Sequence, residues 1–181
     1  MDEGLTGATH FITDEHLRRL TKIAHEDQEG LFERHPHLAV YRDRLLLVAL
    51  CQGGAQHYVE CKNGVKRTNG VKDLDVYSFY ASYPGVLYPA KWHTKADFGE
   101  SEFGYRPADR PYKGKRFVGR HVDLMGRGLP VEPDADPVEA VRDWLATSKN
   151  TSPKLLRLKA VVGLYPQRYR GKVIWDANVD L

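Results

Sequence analysis

Apolar and polar positions along the chain follow two different periods, and the changes of period predict helices and strands in one domain. Thr13 precedes two acidic residues and then apolar residues at helical spacing, which predicts a helix ending near Gly30. A second short segment covers residues 38–44. The apolar run Leu45–Cys51 that follows is typical of a strand buried on both faces.

Two later segments show the alternation that is typical of strands. Residues 71–80 place Leu74 and Val76 on one face and Asp73, Asp75, Tyr77 and Phe79 on the other. Residues 117–125 place Asp123 in the same way. The alternation therefore predicts two strands that each present carboxylates from one face.

The remaining segments complete a mixed α+β pattern. Asp136-Pro137 predicts a helix start, and a further helix is expected from Ser152-Pro153 to residue 162. Residues 172–175 predict a final short strand. The repeated Asn-Gly-Val-Lys at 63–72 predicts a turn or small hairpin, and residues 83–119 predict a long loop region with short strands.

Length and composition narrow the class of protein. The chain has 181 residues, 41% of them hydrophobic, and a formal net charge of +3, which fits one globular domain. We expect an N-terminal helical segment over 1–44, a core over 45–125 and C-terminal helices with a short strand over 126–181. No apolar run is long enough to span a membrane, the first ten residues do not resemble a secretory signal, and two cysteines cannot form a disulfide scaffold. A cytoplasmic protein is therefore expected.

Three carboxylates are the most informative chemistry in the sequence. Asp73 and Asp75 are two residues apart on one strand, so their side chains project from one face about 7 Å apart along the chain. If the strand that carries Asp123 lies beside it, a third carboxylate joins them. Oxygen ligands of this kind suit Mg²⁺, and three carboxylates can hold two such ions.

A glycine pair lies upstream of these carboxylates. Gly53 and Gly54 follow the buried run and precede a segment that can start a helix. Backbone N–H groups at such a turn can approach a phosphate closely, and the helix dipole adds to the attraction. The order of strand, glycine pair, Asp73-Leu74-Asp75 and a later lone Asp is more specific than any one of these features.

With these motifs, residues 45–125 resemble the DNA polymerase β-like nucleotidyltransferase superfamily. The resemblance rests on Gly53-Gly54, Asp73-Leu74-Asp75 and Asp123, although Gln52 is polar where the family has a hydrophobic residue. It implies a mixed sheet flanked by helices and transfer of a nucleoside monophosphate from an NTP, such as ATP, to a hydroxyl acceptor. It also implies that Asp73 and Asp75 bind two Mg²⁺ ions, while Asp123 binds one and helps to deprotonate the acceptor. RNA, a protein or a small molecule would all fit as the acceptor.

Two alternative functions remain open at this level. Glu60 and Lys62 form an E-x-K pattern, and Asp43 precedes it, which resembles the core of PD-(D/E)xK nucleases. That interpretation requires a strand through Glu60, whereas the transferase interpretation requires a helix after Gly54. A catalytically inactive nucleotidyltransferase fold that binds a partner is the second alternative.

Other polar residues have both a functional and a structural interpretation. The basic loop, residues 105–120, interleaves Lys and Arg with aromatic residues, and it could bind nucleic acid or simply be a solvated loop. His57 and His121 could assist at a metal site or be ordinary polar residues. Lys154 and Lys159 could face a triphosphate or only solvent.

Overall fold

The computed structural model describes residues 11–65 and 71–179. In this part of the chain a six-stranded sheet is flanked by helices, which confirms the predicted mixed α+β class. The helices are α1 (Asp14–Arg34), α2 (Gln52–Lys62), α3 (Pro137–Thr147) and α4 (Thr151–Leu156), and 3-10 helices cover Pro36–Arg44 and Gln167–Tyr169. The strands are β1 (Leu45–Cys51), β2 (Leu74–Ala81), β3 (His93–Asp97), β4 (His121–Leu129), β5 (Ala160–Tyr165) and β6 (Val173–Asp176).

The sheet has the strand order β3-β4-β2-β1-β5-β6. Its central pair, β2 and β4, is parallel, and the other neighbouring strands are antiparallel. In this register Asp75 lies opposite Asp123, Cys51 lies opposite Asp75, and Asp97 lies opposite His121. The end of β1 and the beginnings of β2 and β4 therefore meet at one edge of the sheet.

Each face of the sheet packs against its own helices. Leu17, Leu20, Ala55 and Val59 of α1 and α2 cover one face. Helices α3 and α4 cover part of the other face through Val138, Val141, Leu145 and Leu156. Because side chains alternate along a strand, Asp75 and Asp123 lie on the α3 face, on which Tyr77 and Phe79 also pack.

Helix α1 begins as predicted and ends later than predicted. The Thr13 hydroxyl accepts a hydrogen bond from the backbone N–H of His16, and the His16 side chain bonds back to the Thr13 backbone, a capping box. The helix continues through Gly30 to Arg34, and its end is fixed by Pro36, which starts the following 3-10 helix. The predicted end at Gly30 is therefore wrong by one helical turn.

The helix predicted from Ser152 to residue 162 is also wrong. Helix α4 ends at Leu156, and β5 begins at Ala160 as the antiparallel neighbour of β1. The apolar spacing resembled a helix because Leu, Lys and Ala favour one, but Val161 and Val162 are β-branched. Gly163 permits close packing here, since a Cβ at this position would lie 2.3 Å from the Tyr169 carbonyl oxygen.

The other predicted elements are confirmed with shifted bounds. The strand predicted over 71–80 begins only at Leu74, and the strand predicted over 117–125 is β4, which continues to Leu129. Strand β3 lies within residues 83–119, the region predicted as a long loop with short strands. The first ten residues and part of the predicted 63–72 turn fall outside the described residues. Among the described helices none has the length and apolar content that a bilayer crossing needs.

Candidate active site

The three predicted carboxylates come together at the edge of the sheet where β1, β2 and β4 meet. Asp73 precedes β2, Asp75 lies on it, and Asp123 lies opposite Asp75 on β4. One carboxylate oxygen from each of the three lies within 4.8 Å of the others. The sequence predicted that Asp73 and Asp75 project from one face of their strand and that Asp123 projects from one face of its own. The parallel pairing of β2 with β4 then brings these carboxylates together.

Burial and mutual repulsion disfavour the charged forms of the two aspartates at β2. Burial raises the pKa of Asp75 to about 7, and the charges of Asp73 and Asp123 contribute in the same direction. The pKa of Asp73 is also raised, first by burial and then by the charge of Asp123. Since the carboxylates repel each other in the absence of a cation, a bound divalent ion would relieve this repulsion.

Asp123 is stabilised in its charged form by two residues of β3. Its side chain is only 7% exposed, and its Oδ1 lies 2.7 Å from Lys95 Nζ and 2.9 Å from His93 Nε2. Burial would raise the pKa of Asp123, but the hydrogen bonds and the charges of Lys95 and His93 together outweigh burial and lower that pKa. Sequence reasoning missed both residues because β3 lies in a long region predicted as loop with short strands, and the position of no strand in it was predicted. The alternation of His93 and Lys95 with Thr94 and Ala96 was the available signal.

Gly53 and Gly54 lie in the first turn of α2, directly beyond the end of β1. Cys51 is the N-cap residue of this helix, and its side chain makes no capping hydrogen bond to the first N–H groups of α2. A Cβ on Gly53 would meet nothing within 4 Å, whereas one on Gly54 would lie 3.2 Å from a Leu50 side-chain atom. Gly54 thus packs against the sheet, and Gly53 leaves open space beside the helix terminus.

The three carboxylates suit a cation, and the adjoining N-terminus of α2 suits an anion. The donor set of Asp73, Asp75 and Asp123 consists of carboxylate oxygens, which are the ligands that Mg²⁺ prefers. The start of α2 offers backbone N–H groups and the positive end of a helix dipole, which suit a phosphate. The register pairs Cys51 with Asp75, so the two places adjoin each other. These residues could therefore hold a divalent ion together with a phosphorylated ligand.

No protein-family model, curated protein or solved structure matches this chain. The chemistry of the site therefore has to follow from its own residues. The site is formed by β3, β4, β2 and β1, which are neighbours in the sheet, and by the connection from β1 to β2. These parts of the chain carry the carboxylates, the α2 terminus and the β3 side chains. This is a contiguous arrangement built by the sheet itself.

The predicted lysines differ in their relation to the site. Lys159 precedes β5 and is exposed, and its charge lowers the pKa of Asp75 against the larger effect of burial. It therefore lies near the carboxylates, on the side of the sheet where β5 neighbours β1. Lys154 is exposed on α4.

The two predicted histidines are both buried, in different places. His57 lies on α2, with its Nε2 3.6 Å from Cys61 Sγ. His121 begins β4 on the same face as Asp123, its ring centroid is 4.9 Å from that of Phe117, and its Nε2 lies 4.0 Å from Asp109 Oδ2. His121 is thus the histidine that connects the basic loop to the strand carrying Asp123.

The secondary structure that the nuclease alternative requires is not formed. Glu60 and Lys62 belong to α2 instead of a strand, and Gln56 donates a hydrogen bond of 2.8 Å to Glu60 across one helical turn. Asp43 is exposed in the 3-10 helix before β1. The segment after Gly54 is a helix, as the transferase interpretation requires, so the E-x-K strand of the nuclease alternative is wrong.

Proposed function

We propose that this chain is a magnesium-dependent nucleotidyltransferase that transfers a nucleoside monophosphate from an NTP to a hydroxyl acceptor. The observation that carries the proposal is the proximity of Asp73, Asp75 and Asp123, within 4.8 Å of one another, to the α2 terminus with its two glycines. A transferase of this kind needs a cation site and a phosphate site side by side. Mg²⁺, when bound, would neutralise negative charge on the carboxylates and on the phosphates.

The triphosphate is assigned to the α2 side of the carboxylates. The N–H groups of the first turn of α2 would donate to phosphate oxygens, and the open space at Gly53 would allow a close approach. Lys159 lies near enough to Asp75 to affect its pKa, and its ammonium would add positive charge on this side. The contribution of these groups is to position the NTP and to stabilise charge.

The acceptor is assigned to the side of Asp123. In the transfer the acceptor oxygen bonds to the α-phosphorus, the bond from that phosphorus to the bridging oxygen breaks, and pyrophosphate leaves. The hydroxyl proton passes to a carboxylate, a role that the family resemblance gives to Asp123. Lys95 and His93 hold Asp123 at 2.7 and 2.9 Å, so its orientation is fixed before a substrate binds.

The test uses α-³²P-labelled NTPs with Mg²⁺ and a cell extract. We expect purified protein to transfer label to one fraction of the extract, and Asp75→Asn to abolish the transfer. Asp43→Asn, which also removes one carboxylate but lies in the exposed 3-10 helix, is the matched control and should keep activity. Absence of both NTP binding and labelled product in the wild-type protein would refute the proposal.

A further inference from the structure

The basic loop, residues 105–120, contains the excess positive charge of the whole chain. It has six Lys and Arg residues and a single acid, Asp109, while the remaining 165 residues carry 21 basic and 23 acidic side chains. The small net charge of +3 therefore conceals one strongly basic segment in an otherwise slightly acidic protein. A local concentration of this kind attracts a polyanion even when the net charge is low.

This loop belongs to a connection that ends at the strand carrying Asp123. It lies in the connection from β3 to β4, whose ends are paired through Asp97 and His121. The Asp97 carboxylate accepts backbone hydrogen bonds from Val118 at 2.8 Å and Gly119 at 2.9 Å, which closes the base of the connection. Phe117 packs on His121, and His121 lies two residues before Asp123 on β4. The loop is therefore attached to the strand that carries the third carboxylate.

The loop and the glycines lie on opposite sides of the carboxylates. In the strand order, β4 and β3 lie on one side of β2, and β1 with the α2 terminus lies on the other. The triphosphate is assigned to the α2 side, and an in-line displacement requires the attacking oxygen to approach the phosphorus opposite to the leaving group. The acceptor is therefore expected on the side of the basic loop.

Four of the six basic side chains of the loop are available to a ligand. Arg110, Lys113, Lys115 and Arg116 are exposed, and within the described parts of the chain none of them forms an ion pair with a carboxylate. Asp109, the only acid of the loop, is 3.0 Å from Arg106. Four cations are thus presented to solvent without an ion pair to the acid of the loop. Lys113 also acts on Asp27 of α1, where its charge opposes the rise in pKa that burial causes.

Two aromatic rings accompany these cations. Tyr112 and Phe117 are both partly exposed, and their ring centroids are 6.3 Å apart. Lys113 lies over the Tyr112 ring at 5.3 Å. Cations that follow a phosphate backbone, together with aromatic rings that can stack on bases, are the combination by which proteins bind single-stranded nucleic acid. An acidic protein would need the cations but would gain nothing specific from the rings.

We infer that the acceptor is a single-stranded nucleic acid bound by the basic loop. The inference rests on the proposed function and adds the class of its acceptor. The exposed cations contact the phosphates of the strand, Tyr112 and Phe117 stack on its bases, and a hydroxyl of its terminal nucleotide reaches the carboxylates. That hydroxyl oxygen forms the new bond to the α-phosphorus, its proton passes to a carboxylate, and pyrophosphate leaves.

Binding is tested separately from transfer. Fluorescein-labelled single-stranded RNA and DNA of mixed sequence are titrated with the full chain by anisotropy, without NTP or metal, over a series of salt concentrations. The test variant combines Lys113→Gln, Lys115→Gln and Arg116→Gln. The control variant combines Lys22→Gln, Lys149→Gln and Arg168→Gln, which are exposed elsewhere and remove the same charge.

We expect the test variant to bind on the order of 100-fold more weakly near 0.1 M salt, because three phosphate contacts are lost. The slope of log K against log salt should become less steep by about 2, whereas the control variant should change the affinity only slightly. Equal losses in both variants would overturn the inference, and so would tighter binding of poly-glutamate than of the oligonucleotides. Failure of the wild-type protein to bind an NTP would overturn the proposed transferase instead, since strand binding is measured without it.

Discussion

The burial of Asp75, together with the repulsion among the three carboxylates, predicts that replacement of Asp75 by Asn stabilises the metal-free protein. The pKa of Asp75 is about 7 in the folded state against 3.8 as its ordinary value. This difference corresponds to roughly 4 kcal/mol that the ionised carboxylate costs the folded state. Relaxation of water and of neighbouring charges reduces the effect, so we expect Asp75→Asn to raise the free energy of unfolding by about 2 kcal/mol at pH 8.

The sign of the pH dependence makes this prediction specific. Below the ordinary pKa of 3.8, Asp75 is protonated in both states and costs nothing. As pH rises toward about 7, the unfolded state releases the proton more readily than the folded state, and the wild-type protein loses stability. The gain from Asp75→Asn should therefore be less than half as large at pH 5 as at pH 8.

Urea unfolding in the presence of EDTA measures both values, with Asp43→Asn as the control substitution. Mg²⁺ should stabilise the wild-type protein at pH 8 and stabilise Asp75→Asn much less, because one of three ligands is gone. A gain of the same size at both pH values would refute the reasoning, because a packing effect does not titrate. A loss of stability at pH 8 would refute it as well.

Three further substitutions test the surroundings of the carboxylates. Lys95→Met leaves Asp123 buried with one partner fewer, so the free energy of unfolding should fall by roughly 2–3 kcal/mol, and Mg²⁺ should restore much of it. Gly53→Ala meets no atom within 4 Å and should change stability by less than about 0.5 kcal/mol, while weakening the binding of an NTP analogue. Gly119→Ala would place a Cβ 1.9 Å from the Gly99 carbonyl oxygen, so thermal unfolding should report a loss of about 3 kcal/mol.

Each of these substitutions has an outcome that contradicts its rationale. Unchanged stability of Lys95→Met without metal would mean that the ammonium does not support Asp123. Unchanged NTP binding by Gly53→Ala would mean that no phosphate occupies the open space at the α2 terminus. A fully stable Gly119→Ala protein would mean that the base of the β3–β4 connection is not closely packed.

Local pattern was sufficient to predict the strands that carry the carboxylates. The run Leu45–Cys51 is apolar throughout because β1 is buried on both faces, and the structure confirms its bounds. The alternation around Asp75 and Asp123 identified the face of each side chain correctly. The pairing of β2 with β4 was not predictable in this way, because two strands distant in sequence leave no local sign of their register.

The parts that sequence reasoning missed have identifiable physical causes. Lys95 lies on a five-residue strand between turns, too short for its alternation to stand out from the surrounding loop. The chain after Ser152 has a helical spacing of leucines, but tertiary pairing with β1 imposes a strand from Ala160. In both regions the deciding interactions come from residues far away in the chain.

The attachment of the basic loop has a consequence for how such a protein could change its preference for acceptors. The connection leaves and re-enters the sheet at two strands that are already paired, with Asp97 opposite His121. Insertions or deletions between these two points need not alter the register of any strand, and surface connections tolerate such changes. Under the proposed function, the segment that selects the acceptor could then be lengthened, exchanged or removed without changing the positions of the three carboxylates.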